Sequence, residues 1–281
     1  RDHRRNHRRD QHRRLRRITQ TKCADRPPAC PRIFSQEGSK PMSHHPTRKK
    51  LFSKLGQDRQ VSETVRLGLL LALSGGLMDA YSYLFRGEVF ANAQTGNILL
   101  FSVNLSQGNW GVVKEYGCPV LAFGAGIALA FLIRQHFQRR KIRLHWRQIG
   151  VLIEIGVLIF VAFQPQTRNL LANSLTSLAC GFQVEAFRKI HGNSIATTMC
   201  IGNFRAGLHA LGEYWFSRKR SDRNKALTYF IVIAFFALGA VLGSRLIARM
   251  GQWAILCSSA LLAACFLLMF IQTEEEKRDA L

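Results

Sequence analysis

From Leu67 to about residue 271 the chain alternates apolar stretches of close to 20 residues with short, mostly basic connections, and this spacing limits the fold more than any other feature. Roughly 20 helical residues cross a hydrocarbon core of about 30 Å, and only helices or closed barrels satisfy every backbone group inside one. The stretches run over 67–85, 90–107, 117–133, 148–163, 169–187, 194–216, 226–244 and 253–271. Two are too polar to face lipid. Residues 90–107 carry Asn92, Gln94, Thr95, Asn97, Ser102 and Asn104, and residues 194–216 carry Thr197, Thr198, Asn203, Arg205, His209 and Glu213.

Charge decides how these stretches are threaded. Lys and Arg close to a membrane-crossing end favour the cytoplasmic side. Arg48, Lys49, Lys50, Lys54, Arg59 and Arg66 precede the first stretch and place the amino terminus inside. If all eight stretches cross, the basic loop from Arg134 to Arg147 falls outside, against that bias. If the second and sixth enter and return as broken segments, six crossings remain. The loops at 134–147, 188–192 and 218–225 then all lie inside, with Arg245 and Arg249 as the exceptions. The expected fold is therefore all-α, a polytopic membrane protein of six helices and two broken segments. Three crossings per half make the halves, about 61–164 and 165–272, inverted copies. Close helix contact is expected at Gly124, Gly126 and Ala128 and at Gly239 and Gly243.

The formal net charge of +23 belongs largely to an arm. Residues 1–50 hold 16 Lys or Arg against 4 Asp or Glu, so residues 1–60 read as a basic, disordered arm, and residues 273–281 as a short charged tail. The first Met is Met42, and translation is expected to begin there, leaving residues 1–41 outside the biological protein. The arm has no interleaved aromatics to stack on bases, so nucleic acid is not an expected partner. Seven cysteines, five of them in or beside apolar runs, suggest small core residues rather than a disulfide framework. Cys23 and Cys30 lack partners at zinc-ligand spacing, and His191 and His209 stand singly, so no metal or other cofactor is expected. There is no nucleophile elbow, phosphate-binding glycine loop or HExxH helix, and nothing points to an enzyme.

The chemistry-bearing residues sit in the repeat. Gly75-Gly76-Leu77-Met78-Asp79-Ala80-Tyr81 with Thr95-Gly96-Asn97 returns about 106 residues later as Gly181 with Glu185-Ala186-Phe187 and Gly202-Asn203. A carboxylate at the bilayer midplane costs at least about 2.5 to 3.5 kcal/mol, so Asp79 and Glu185 should be paired, hydrated or used. Asp79 could bond Tyr83 or Arg86, and Glu185 could pair with Lys189. Glu154 has no local partner and should face the bundle interior or carry a proton. Arg205 could bind an anionic group or one of these acids. The Gly-Asn pairs at 96–97 and 202–203 read as breakpoints, glycine tolerating unusual backbone angles and Asn covering freed backbone groups.

Gly75 to Tyr83, Thr95-Gly96-Asn97, Gln183-Val184-Glu185-Ala186-Phe187-Arg188-Lys189 and Ala196-Thr197-Thr198-Met199-Cys200 together resemble the YoaK family of bacterial inner-membrane proteins over about residues 60–272. The second half departs from the pattern with Ile201 where a Thr-Gly-Asn triplet would have Thr. The resemblance implies a multi-pass protein of the bacterial cytoplasmic membrane whose biochemistry is unassigned. The expected function is transport of a small solute, coupled to protons or cations, with Asp79, Thr95, Gly96, Asn97, Glu154, Glu185, Gly202, Asn203 and Arg205 at the site. The alternative is a non-transporting membrane interaction protein whose polar residues hold helices together. The expected partners are the lipid bilayer and the solute, and the sequence leaves homo-oligomerisation open.

Overall fold

The structure, a computed structural model, describes residues 48–138, 146–190 and 193–279. The expectations for residues 1–47, for Cys23 and Cys30, for Arg139-Arg140-Lys141 and for His191 lie outside them. Eight α-helices make up nearly all of what is described: α1 Arg48–Phe85, α2 Gln94–Ser106, α3 Trp110–Gln138, α4 Trp146–Ala162, α5 Asn169–Ala186, α6 Cys200–Ser217, α7 Arg220–Met250 and α8 Ile255–Asp279. Short 3-10 turns at Gln166–Arg168 and Gly251–Ala254 precede α5 and α8, and Lys189–Ile190 pairs antiparallel with Asn193–Ser194 in a minimal hairpin. Three helical runs, Val65–Phe85, Trp110–Phe137 and Arg220–Met269, are long and apolar enough to cross a membrane. The last, at 50 residues, is more than twice a crossing and folds at Gly251, whose φ of +55° ends α7. Helix α1 begins at Arg48, inside the segment read as a disordered arm, and α8 continues to Asp279 through the segment read as a tail.

Two helix pairs touch backbone to backbone. A Cβ at Gly76 of α1 would fall on the Phe236 carbonyl oxygen of α7, and one at Gly239 of α7 on the Leu73 carbonyl oxygen. In the other pair, a Cβ at Gly126 of α3 would fall on the Leu178 carbonyl of α5, and one at Gly181 of α5 on that of Phe123. In each pair both glycines meet the carbonyl three residues before the opposing glycine. Gly239 and then Gly243 of α7 meet Leu73 and then Leu77 of α1, so that pair is parallel; Arg134 late in α3 reaches Arg147, which lies over the Phe187 ring just past α5, so the other pair is parallel too. Gly243 extends the first seam onto Leu77 and Ala80. Gly124, expected to serve the same purpose, has open space, and Ala128 is exposed.

Side-chain contacts orient the rest. Gln183 Nε2 donates to the Leu71 carbonyl (3.2 Å), Cys180 Sγ meets Met78 Sδ (3.9 Å) and Asn173 Nδ2 donates to the Arg86 carbonyl (2.8 Å), so α5 runs against α1. Ser74 Oγ bonds Ser258 Oγ at 2.6 Å and the Tyr81 hydroxyl donates to the Gln252 carbonyl, so α8 also runs against α1. Gly150, early in α4, lies against the Phe182 ring late in α5, while Phe163 just past α4 packs edge-on to Trp253 just before α8. Helices α1, α4 and α7 therefore point one way and α3, α5 and α8 the other. The main core runs through α1, α4, α5 and α8, with a smaller cluster of Ala72, Ile195, Tyr229 and Val232.

Candidate functional site

Neither α2 nor α6 starts at an end of the bundle. After α1 the chain turns at Gly87 and Glu88, both at positive φ, and doubles back along the helix it has just left. The Asn92 amide donates to Asp79 Oδ1 at 2.7 Å, and Asn92 Nδ2 donates to the Gly75 carbonyl at 3.1 Å. Helix α2 thus begins beside Gly75, about 15 Å short of the Phe85 end. The second break approaches from the opposite end. After α5 the chain returns until Thr197 Oγ1 accepts from Gln183 Nε2 (3.2 Å) and the Thr198 methyl sits 3.1 Å from where a Gly75 Cβ would be. Both breaks reach α1 at one residue, and a side chain there would crowd the second.

Each break is held by the same clasp. Asn97, fourth residue of α2, accepts from the Phe90 amide (3.0 Å) and donates to the Phe90 carbonyl (2.7 Å). Asn203, fourth residue of α6, does the same to Ala196 at 3.2 and 2.6 Å. One carboxamide covers both backbone groups of a residue seven positions back, where no ladder or helix could. The expectation for the asparagines holds, and that for the glycines does not. Gly96 and Gly202 lie in the first turns of α2 and α6 and are not among the positive-φ residues. Gly96 leaves room for the Phe90 ring, and Gly202 faces open space. The breaks lie upstream, at 86–93 and 187–199.

The remaining candidate residues scatter. Asp79 bonds neither Tyr83 nor Arg86 but caps α2, with the Ala91 and Ala93 amides also bearing on its carboxylate. It answers the partial positive charge of a helix amino end that has no other side-chain cap. Glu185 pairs with Arg188 at 3.6 Å, one helical turn on, rather than with Lys189. Thr95, Gly202 and Arg205 are exposed on the outer faces of α2 and α6. Glu154 is 1% exposed, and both its oxygens lack a hydrogen-bond partner among the described residues.

Several residues at the meeting point were visible in the sequence only as polarity. Asn92, Gln183, Thr197 and Thr198 are all buried, and Asn92 Oδ1, Gln183 Oε1 and Thr198 Oγ1 have no partner among the described residues. Arg86 was read as a surface partner for Asp79. It is 1% exposed, bonded to the Tyr81 hydroxyl and to the Val161, Gln164 and Pro165 carbonyls at the carboxyl end of α4, where a helix favours a cation. An apolar groove of about 350 Å³ lined by Leu73, Leu77, Leu242 and Leu261 lies apart from these polar groups. The five described cysteines are free, and no group of three or more His, Cys, Asp or Glu is placed to hold a metal among the described residues. A family model described as a protein of unknown function (DUF1275) matches residues 67–268. No curated protein and no solved structure matches the chain.

Proposed function

This chain belongs to the DUF1275 family of proteins of unknown function, and on that footing we propose that it is a polytopic membrane transporter of a small solute, coupled to protons or cations. The observation that carries the reading is the meeting of two broken helices, entered from opposite ends of the bundle, at Gly75. Interrupted helices with partnerless polar atoms at mid-depth are tolerated where they line a protein or wet cavity, and secondary transporters place solute and ion sites there. The binding surface in this proposal is Asn92, Gln183 and Thr198, framed by the Asn97 and Asn203 clasps and by the Asp79 cap.

The same reading takes α1, α3, α4, α5, α7 and α8 as six crossings and α2 and α6 as re-entrant segments. The alternating helix directions support it. So does charge: the connections on the amino-terminal side hold Arg134, Arg147, Arg188, Arg218, Lys219 and Arg220. Matching glycine seams and Asn clasps support an inverted duplication of α1–α4 and α5–α8. We place the protein, as a YoaK-type member, in the bacterial cytoplasmic membrane with its amino terminus inside.

One observation favours the rival reading, a membrane interaction protein whose polar groups join helices: Asp79 is already used as a cap. Proteoliposomes loaded with a pH-sensitive dye and offered amino acids, carboxylates, sugars and inorganic ions separate the two. Transport predicts a solute-dependent proton flux that Thr198→Val, which removes a hydroxyl bonded to none of the described residues, abolishes while the thermal midpoint hardly moves. If this variant loses stability and no solute moves protons through the folded wild type, the polar groups are glue.

A further inference from the structure

Glu154 lies near the middle of α4, between the fully buried Val151 and Leu158, within the main apolar core. Its helix belongs to the first half, but its packing partners are chiefly α5 and α8 of the second. The titratable groups facing it from these helices are Cys180 of α5 and Cys265 of α8, both buried and both within electrostatic reach. Beyond Cys180 lies Asp79 of α1, whose charge would oppose a second negative charge. The nearest cation on α4 is Arg147, with Arg134 of α3 near it, two turns or about 10 Å toward the end of the bundle. No donor among the described residues reaches either carboxyl oxygen. An ionised carboxylate so placed would stand in apolar surroundings without compensation, and such groups take up a proton instead.

We infer that Glu154 binds and releases a proton at the seam between the two halves, and that the closed seam described here is its protonated form. The step is a simple one: the carboxylate accepts a proton from water to give the neutral acid, and returns it when the seam admits water. Ionised, the group needs hydration and favours an open seam; neutral, it is accommodated by the apolar packing. Proton binding and seam closure are therefore linked, each favouring the other to the same extent. As the coupling site of a transporter Glu154 depends on the reading above; as a proton-binding carboxyl it does not. Asp79, held by backbone amides, is the structural acid of the pair.

The test uses the full chain in proteoliposomes and the hydrophobic reagent dicyclohexylcarbodiimide. A neutral carboxylic acid adds across one C=N bond of this reagent, its proton passing to nitrogen, and the adduct rearranges to a stable acylurea without a leaving group. Mass spectrometry should find one adduct on the peptide carrying Glu154, decreasing as the labelling pH is raised, and none in Glu154→Gln. Infrared difference spectra of wild type minus Glu154→Gln should show a protonated carboxylic acid band at neutral pH. Should the glutamine variant not fold, Glu154→Asp takes its place in the spectra, where the acid band should shift rather than vanish. A carboxylate band in place of the acid band, or absence of the adduct at every pH, overturns the inference. An adduct with the acid band, but with no solute flux under any gradient, removes the transport reading and leaves the proton site standing.

Discussion

Asn97 and Asn203 show how little sequence is needed to hold a chain that has turned back on itself ahead of a helix. Each carboxamide takes over one backbone amide and one carbonyl that the turn of the chain has left without partners. Asn97→Ala should uncover both groups of Phe90, which Leu or Ala cannot replace, at a cost of about 1–3 kcal/mol for each buried group left unpaired. A clear drop in the thermal midpoint of the purified protein is expected, and the same for Asn203→Ala. An unchanged midpoint would mean that the clasps hold nothing. Arg86→Met should be at least as damaging, since it strips the guanidinium from the Val161 and Gln164 carbonyls. The asparagines could be read from the sequence because an amide in an apolar run has few other uses. Arg86 could not, since apart from the Tyr81 hydroxyl most of its partners lie 75 or more residues away and are backbone carbonyls, which every residue carries.

At the scale of the helices, the deciding property is the absence of side chains at four glycines. Gly76→Leu or Gly181→Leu would have to push a helix backbone aside, and overpacking of this kind costs typically about 1–3 kcal/mol or more. Gly124→Leu and Gly202→Leu meet open space and should leave the thermal midpoint within about 0.5 kcal/mol of wild type. Equal effects at all four positions would refute the parallel seams. The stretches themselves were legible to within a few residues at most ends, because an apolar run bounded by charge marks a crossing well. Which glycine faces a neighbour was not, since Gly124 and Gly126 differ only in rotation about α3.

At the scale of the molecule, the direction of each helix gives a topology that can be measured. Single cysteines at Gly111 and Ser221, in a version lacking native cysteines, occupy exposed positions at opposite ends of the bundle. An impermeant thiol reagent added to intact cells should label Gly111→Cys and spare Ser221→Cys. Protection of both would mean that α2 crosses and would remove the re-entrant pair. The alternating helix directions fit the six crossings expected from the basic loops, whereas the coming together of the two breaks at Gly75 was not accessible from the sequence, because no spacing rule relates Asn92 to Thr198.

The two glycine seams also set a timetable. Each joins a helix of one half to a helix of the other, α1 to α7 and α3 to α5, and α4 finds its chief neighbour in α8. As the ribosome delivers the first half, none of these surfaces has its mate, so the emerging helices must be kept apart, by lipid or an attendant protein, until the second half follows: 55 residues separate Gly126 from Gly181, and 163 separate Gly76 from Gly239. Cutting the gene at the link near Gln166 should accordingly yield two polypeptides that are degraded when made singly and accumulate when made together, with each serving as the other's template for assembly.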